Sequence, residues 1–305
     1  MLKPAASAVA ISLLWVLAPP KIQQTAPQTS AGSLQERLQG KFAELHKAGS
    51  FPGGTAGFVL ADGTSFGIAV GVADRAASTP MKPSDRLLVG SVGKTYASAV
   101  ALQMIHEKQF NLDDTLAKFF SKEPWFGRIA NASAITVRHL MTHTSGLVRY
   151  EFNPKFTADL SANPDKVWTG ADRLSYLFDA TPPFAPGAGW EYSDTNYIVL
   201  GMIIEQVAKN SYYDELRKRV LVPFGLKDTV PADRREVPGL VQGYAGANNP
   251  FGGADEMIKD GRFAVNPQFE WTGGGLATTA LDLARWGEIL YEGRAFDGLV
   301  RTRMR

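Results

Sequence analysis

The chain contains no cysteine. Thiol nucleophiles, disulfide scaffolds and cysteine-ligated metals are excluded together, so any nucleophile must be an oxygen or an amine. A dominant charge sign is also missing: 32 Lys and Arg stand against 30 Asp and Glu, for a formal net charge of +2. No block of like charge is long enough to read as an interaction tail, and nothing in the balance asks for nucleic acid. Gly63, Gly90 and Gly93 form no phosphate-cradling loop, and the Phe and Met residues fall at core spacing, so no cofactor is expected. What is present is 305 residues, 45% of them hydrophobic and 20% charged, which suits one large globular domain or one domain with an insertion.

The N-terminus places Lys3 ahead of an apolar stretch from Ala5 to Ala18. That is short for a membrane span and about right for the apolar region of a secretory signal peptide, so an exported, periplasmic or secreted protein is expected. Residues 21–33 are Gln, Thr, Ser, Pro and Ala in the main and read as a linker, with structured sequence starting near Leu34. Leu34, Leu38, Phe42 and Leu45 keep helical spacing. Two strand-like runs follow, Thr55 to Leu60 and Ser65 to Val72, joined across Asp62-Gly63, a hairpin signal. Beyond Pro80 and Pro83 a short apolar strand, Leu87 to Gly90, runs directly into Ser91.

From Ser91 onward Ala97, Val100, Ala101, Met104 and Ile105 mark a buried helix of about four turns. Thr136 is placed to cap a short helix ending at Gly146. Tyr197, Leu200, Gly201, Ile204, Val207 and Ala208 form the inner face of another helix. The prolines and glycines between Pro182 and Gly189 mark an extended loop leading to Trp190-Glu191-Tyr192, and a last helix starts near Thr279. Strands, then a helical insertion, then more sheet make an α+β plan.

Ser91-Val92-Gly93-Lys94 fits S-x-x-K. In a helix these positions share a face about 4.5 Å apart along the axis, so the Lys94 amine can reach the Ser91 oxygen. A serine hydroxyl needs such a neighbour to become a nucleophile. An amine serves as that base if burial and the positive end of the helix dipole favour its neutral form. The helix start also aims backbone N–H groups at an anion forming beside Ser91. The tetrapeptide alone is a weak signal, since two ordinary residues meet at this spacing by chance. Its place between an apolar strand and a buried helix strengthens it.

Longer segments carry a resemblance. V-G-S-V-G-K-T-Y-A, from Val89 to Ala97, resembles the nucleophile segment of class C β-lactamases, D-alanyl-D-alanine carboxypeptidases and related esterases. I-T-V-R-H-L-M-T-H-T-S-G-L, from Ile135 to Leu147, and P-F-A-P-G-A-G-W-E-Y-S-D-T-N-Y, from Pro183 to Tyr197, are similar to segments of the same superfamily. So are V-L-V-P-F-G-L-K-D-T, from Val220, and G-G-G-L-A-T-T-A-L-D-L-A-R-W, from Gly273, in the family's order. The resemblance implies an α+β β-lactamase/transpeptidase-like fold, an antiparallel sheet flanked by helices with a mostly helical insertion at about 110–230 in a domain spanning 34–305. It also implies acyl-enzyme hydrolysis through Ser91, with Lys94 and Tyr192 exchanging protons. Asp194 stands where many members carry the asparagine of Tyr-x-Asn. A carboxylate only accepts hydrogen bonds, so Asp194 is read as an orienting group that can pair with Lys94 and hold it protonated.

The family's Lys-Thr-Gly or His-x-Gly motif has no clear counterpart. Trp271-Thr272-Gly273 is a local look-alike without a cation. The expectation is therefore a sheet whose C-terminal strands, with the second oxyanion donor, are missing. Substrates implied are a D-alanyl peptide, a β-lactam or a carboxylic ester, with cell-wall peptide among the partners. The alternatives are an inactive peptide-binding or sensor domain, and an esterase that does not recognise penicillin. His139 and His143 have two-ligand spacing, but no glutamate follows His139 and no third ligand is marked, so no metal is expected.

Overall fold

The computed structural model describes residues 31–246 and 255–296. The expected signal segment and residues 21–30 of the expected linker lie outside them. Helix α1 (Ala31–Ala48) takes in Ala31, Gly32 and Ser33, assigned to the linker on composition. Extending a formed helix by a few residues adds hydrogen bonds without a new nucleation cost, so it outruns its first apolar residue.

Strands β1 (Gly53–Val59) and β2 (Ser65–Asp74) pair antiparallel, from Gly53 opposite Gly71 to Val59 opposite Ser65. Their turn closes where expected: Asp62 Oδ1 accepts the Thr64 N–H at 2.9 Å, and Gly63 takes φ +84°. A short β3 (Thr79–Pro80) joins the other edge of β2, giving this sheet three strands. β4 (Leu87–Leu88) leads to the long buried helix α2 (Gly93–His106).

The chain then runs through α3 (Leu116–Phe120), α4 (Val137–Met141), α5 (Pro154–Ala162), α6 (Gly170–Leu174), α7 (Asp194–Ala208) and α8 (Tyr212–Leu216). After β5 (Val230–Pro231) come a small hairpin of β6 (Ile258–Lys259) and β7 (Arg262–Phe263), then α9 (Trp271–Gly274), β8 (Leu276–Thr278) and α10 (Ala280–Tyr291). β8 lies between β4 and β5, antiparallel to both. The helical segment is thus inserted between two strands that flank one partner, as the α+β reading expects. Among the described residues no helix is long and apolar enough to cross a membrane.

The core gathers around α2 and α7. Tyr96 stacks on Trp286 of α10 with ring centroids 4.4 Å apart, and the Trp286 indole donates to Thr95 Oγ1 at 2.8 Å. α10 also lies directly on β1: a Cβ added at Gly57 would fall 2.1 Å from the Ala280 carbonyl oxygen. Gly57→Ala is therefore expected to lose about 1–3 kcal/mol of stability through overpacking. A urea midpoint equal to that of the parent would contradict this close approach.

A further boundary differs from the expectation. α4 stops at Met141, well before Gly146, because His143 turns into the left-handed region at φ 57°. Its Nδ1 accepts the Ser193 N–H at 3.2 Å and lies 3.0 Å from Asn196 Nδ2, so tertiary capture by the start of α7 ends the helix before the glycine does.

Candidate active site

Ser91 is held by sheet and helix together. The Val89 N–H extends the β4–β8 pairing to the Leu276 carbonyl at 3.0 Å, and a single 3₁₀ turn, Gly90–Val92, carries the chain into α2. The turn fits because backbones touch behind it: a Cβ on Gly93 would lie 2.9 Å from Gly274 Cα, and one on Gly274 would lie 2.7 Å from the Gly90 oxygen. Ser91 stays exposed while Lys94, three residues on, is buried at 6% exposure.

The Lys94 ammonium donates to Ser91 Oγ at 3.2 Å, to the Gly273 carbonyl at 2.7 Å and to Asp194 Oδ1. Three acceptors for three N–H bonds describe a charged amine. Burial alone would push its proton loss down, but the Asp194 carboxylate outweighs burial and the net shift is upward. The structure thus places Asp194 against Lys94, the contact that the sequence analysis tied to a protonated amine.

Tyr192 arrives from the insertion and places its hydroxyl 2.6 Å from Ser91 Oγ. The loop that delivers it is pinned to the turn after α4: Gly187 N–H donates to the Thr144 carbonyl at 2.8 Å, and Glu191 N–H to that of His143 at 3.1 Å. The His143 ring packs against the Tyr192 ring with centroids 4.6 Å apart. Burial, then the charge on Lys94, push the imidazole's proton affinity down, so at neutral pH it is an uncharged packing surface. His139 instead serves the capping box of α4, its Nδ1 accepting the Thr136 N–H at 3.2 Å. The two histidines therefore have separate structural duties.

Asp194 opens α7, where the helix dipole favours a carboxylate. Burial would raise its pKa, but a hydrogen bond from Glu151 and the nearby Lys94 lower it on balance. Ser91, Lys94, Tyr192 and Asp194 are thus brought into one cluster. Three further participants had no mark in the sequence. The Gly273 carbonyl meets Lys94, which is how the Trp271-Thr272-Gly273 look-alike enters the site. Arg149 reaches Asp194 Oδ2 with Nη2 at 3.3 Å, and Glu151 accepts from Arg149 Nε at 2.6 Å. A cavity of about 240 Å³ opens beside this cluster, lined by Ser91, Arg149, Glu151, Asp194, Phe269 and Glu270. Burial, then Asp194, raise the pKa of Glu270 above the usual carboxylate range.

Comparison with known proteins gives the same grouping. A family model described as Beta-lactamase matches residues 38–305. Penicillin-binding protein 4* of Bacillus subtilis is 28% identical over 180 residues, 57% of this chain and 37% of that protein. A D-aminopeptidase of Brucella anthropi is 29% identical over 246 residues, 78% of this chain and 42% of that protein. The chain thus spans less than half the length of these two relatives. Among solved structures, a D-stereospecific amidohydrolase from Streptomyces sp. superposes with a TM-score of 0.72 at 27% identity, over 86% of this chain and 74% of that one. The α+β architecture is accordingly of the β-lactamase/transpeptidase type.

Proposed function

Because this chain belongs to the Beta-lactamase family, a group of serine hydrolases, we propose that it transfers an acyl group to water through an ester on Ser91. The observation that carries this reading is the meeting at Ser91 Oγ of the Tyr192 hydroxyl at 2.6 Å and the Lys94 amine at 3.2 Å. In the proposed step Ser91 Oγ bonds to the carbonyl carbon. Its proton passes to the Tyr192 oxygen as Tyr192 gives its own proton to the leaving atom, and the bond from carbonyl to leaving group breaks. Water then repeats the sequence in reverse sense and frees the acid. Lys94, kept charged by Asp194, stabilises negative charge on both oxygens, and the opening N–H groups of α2 lie beside the forming oxyanion.

The lining of the cleft bears on the substrate. Glu151, Glu270 and Asp194 stand in that wall with Arg149, and burial raises the pKa of both glutamates. Both cations beside it, Lys94 and Arg149, are held by carboxyl groups, which leaves neither free for a substrate carboxylate and favours an uncharged ester or an amide. The named activities of the D-aminopeptidase and the D-stereospecific amidohydrolase support amide substrates of that kind. β-Lactams and D-alanyl peptides, which bring a carboxylate, fit less well.

Purified protein treated with a fluorophosphonate probe is expected to carry one adduct on Ser91 by peptide mass spectrometry, absent in Ser91→Ala. A fluorescent penicillin is expected to label weakly or not at all, and turnover of 4-nitrophenyl acetate to be lost in Ser91→Ala. No label from either probe on folded protein would overturn the enzyme reading and favour a peptide-binding domain.

A further inference from the structure

Asp194 accepts and never donates while ionised, so its place in the cluster depends on the donors around it. Its oxygens are divided between two of them: Oδ1 meets Lys94, and Oδ2 meets Arg149 Nη2 at 3.3 Å. Arg149 is itself fixed. Its Nε donates to Glu151 Oε1 at 2.6 Å, and its guanidinium lies 3.8 Å above the centre of the Phe152 ring and 5.2 Å from that of Tyr192. Glu151 Oε2 is buried with no donor facing it, which suits an oxygen that keeps its proton and gives it to Asp194.

The charged and titratable groups facing this cluster come from every side. Lys94 faces it from α2, Asp194 and Tyr197 from α7, Tyr192 from the loop before α7, and His143 from the turn after α4. Glu270 faces it from the segment ahead of α9. Two cations, Lys94 and Arg149, thus stand among three carboxyl groups, and only Arg149 touches two of the three.

We propose that Arg149 is a positioning residue of the reaction, acting through Asp194: by sharing that carboxylate with Lys94 it sets the pH at which the cluster around Ser91 exchanges a proton. The inference rests on the serine-hydrolase reading above. A fixed cation at this range lowers the pH at which neighbouring acids lose protons, by about one unit or more, and its removal reverses that whichever neighbour is the base. Glu151 works in the opposite sense. Burial, then the Asp194 carboxylate, push its proton loss up to about 7. Above that pH it adds a negative charge that only Arg149 contacts directly.

The test is the second-order rate of Ser91 labelling by a fluorophosphonate between pH 5 and 10. It compares the parent with Arg149→Gln, Arg149→Lys and Glu151→Gln, each first checked for folding by circular dichroism. The acid limb is expected to move up by about one unit in Arg149→Gln. It should return most of the way in Arg149→Lys, and move down in Glu151→Gln. A purely structural Arg149 would lower the rate without moving the limb, and that result overturns the proposal, as do shifts of the same sign in Arg149→Gln and Glu151→Gln. If the parent takes no label at Ser91, it is the hydrolase reading that fails. The electrostatic coupling is then read without activity, by ¹³C NMR titration of glutamate δ-carbons. Glu151 is expected to titrate at higher pH in Arg149→Gln, and an unchanged midpoint overturns the inference.

Discussion

Lys94→Met is expected to lower kcat/KM by roughly 10²–10³-fold, the usual cost of removing one group that stabilises developing negative charge, and to destabilise the fold at the same time. The second effect follows from burial. Without the ammonium, the Asp194 carboxylate keeps the longer contact to Arg149 and the hydrogen bond from Glu151 while remaining mostly out of water. Removing one partner of such a pair costs about 3 kcal/mol, the low end of the usual range because Arg149 stays behind. Asp194→Asn in the same chain removes the stranded charge and supplies an amide donor, so the double variant should recover most of the stability and none of the activity.

The pH dependence of that deficit has a definite sign. The folded-state pKa of Asp194 lies below its ordinary value. The stabilisation is therefore complete above the unfolded carboxyl pKa of about 4 and disappears as pH falls through the lower folded value. Urea midpoints at pH 7.5 and pH 3 check it: the gap between parent and Lys94→Met should narrow in acid. A gap of the same size at both pH values would mean that the loss comes from packing around the lysine stem.

How much of this site was legible in advance depends on how local each relation is. Ser91 and Lys94 sit a turn apart on one helix, so spacing alone brings the amine to the hydroxyl. Tyr192 is 101 positions from Ser91, and only resemblance could pair them. Asp194 was read as able to pair with Lys94 from its charge and from its place in the family's Tyr-x-Asn motif, and the contact is there. Arg149 and Glu151 had no such signal, since alternate charges in a loop read as solvated surface. The usable clue was indirect: an acceptor-only residue shared by a protonated amine leaves its second oxygen in need of a donor. The Gly273 carbonyl was beyond sequence reasoning because every residue carries one. In the fold, the Asp62-Gly63 hairpin and the Thr136 and Thr279 caps follow from local chemistry. The early end of α4 at Met141 does not, because contacts from α7 decide it.

Arg173 extends the same lesson and carries the largest stability effect outside the cluster. In sequence it is one more charge in the short helix Gly170–Leu174, yet its side chain is wholly buried with no ion-pair partner among the described residues. Its fork donates to three backbone carbonyls, Nε to Phe269 at 2.8 Å, Nη1 to Trp168 at 2.8 Å and Nη2 to Gln268 at 2.7 Å. Burial pushes the guanidinium's pKa below its ordinary value, but the group starts so high that it remains charged at neutral pH.

Two of these carbonyls keep another donor in its absence, Tyr150 at Phe269 and Gln268 Nε2 at Trp168. The Gln268 oxygen loses its side-chain donor outright. Counting charge-assisted bonds against the relief of burying a lone cation, Arg173→Met should cost roughly 3 kcal/mol. That corresponds to a fall in Tm of roughly 6–12 °C for a domain of this size. Arg173→Lys should recover little, because one ammonium cannot span a three-carbonyl fork. The segment released is the one that holds Phe269 and Glu270 against the cleft and leads to the Gly273 carbonyl on Lys94. Labelling of Ser91 should therefore slow in Arg173→Met even well below its Tm. A variant that melts with the parent and labels at the parent rate would show that the wall of the cleft stands without this arginine.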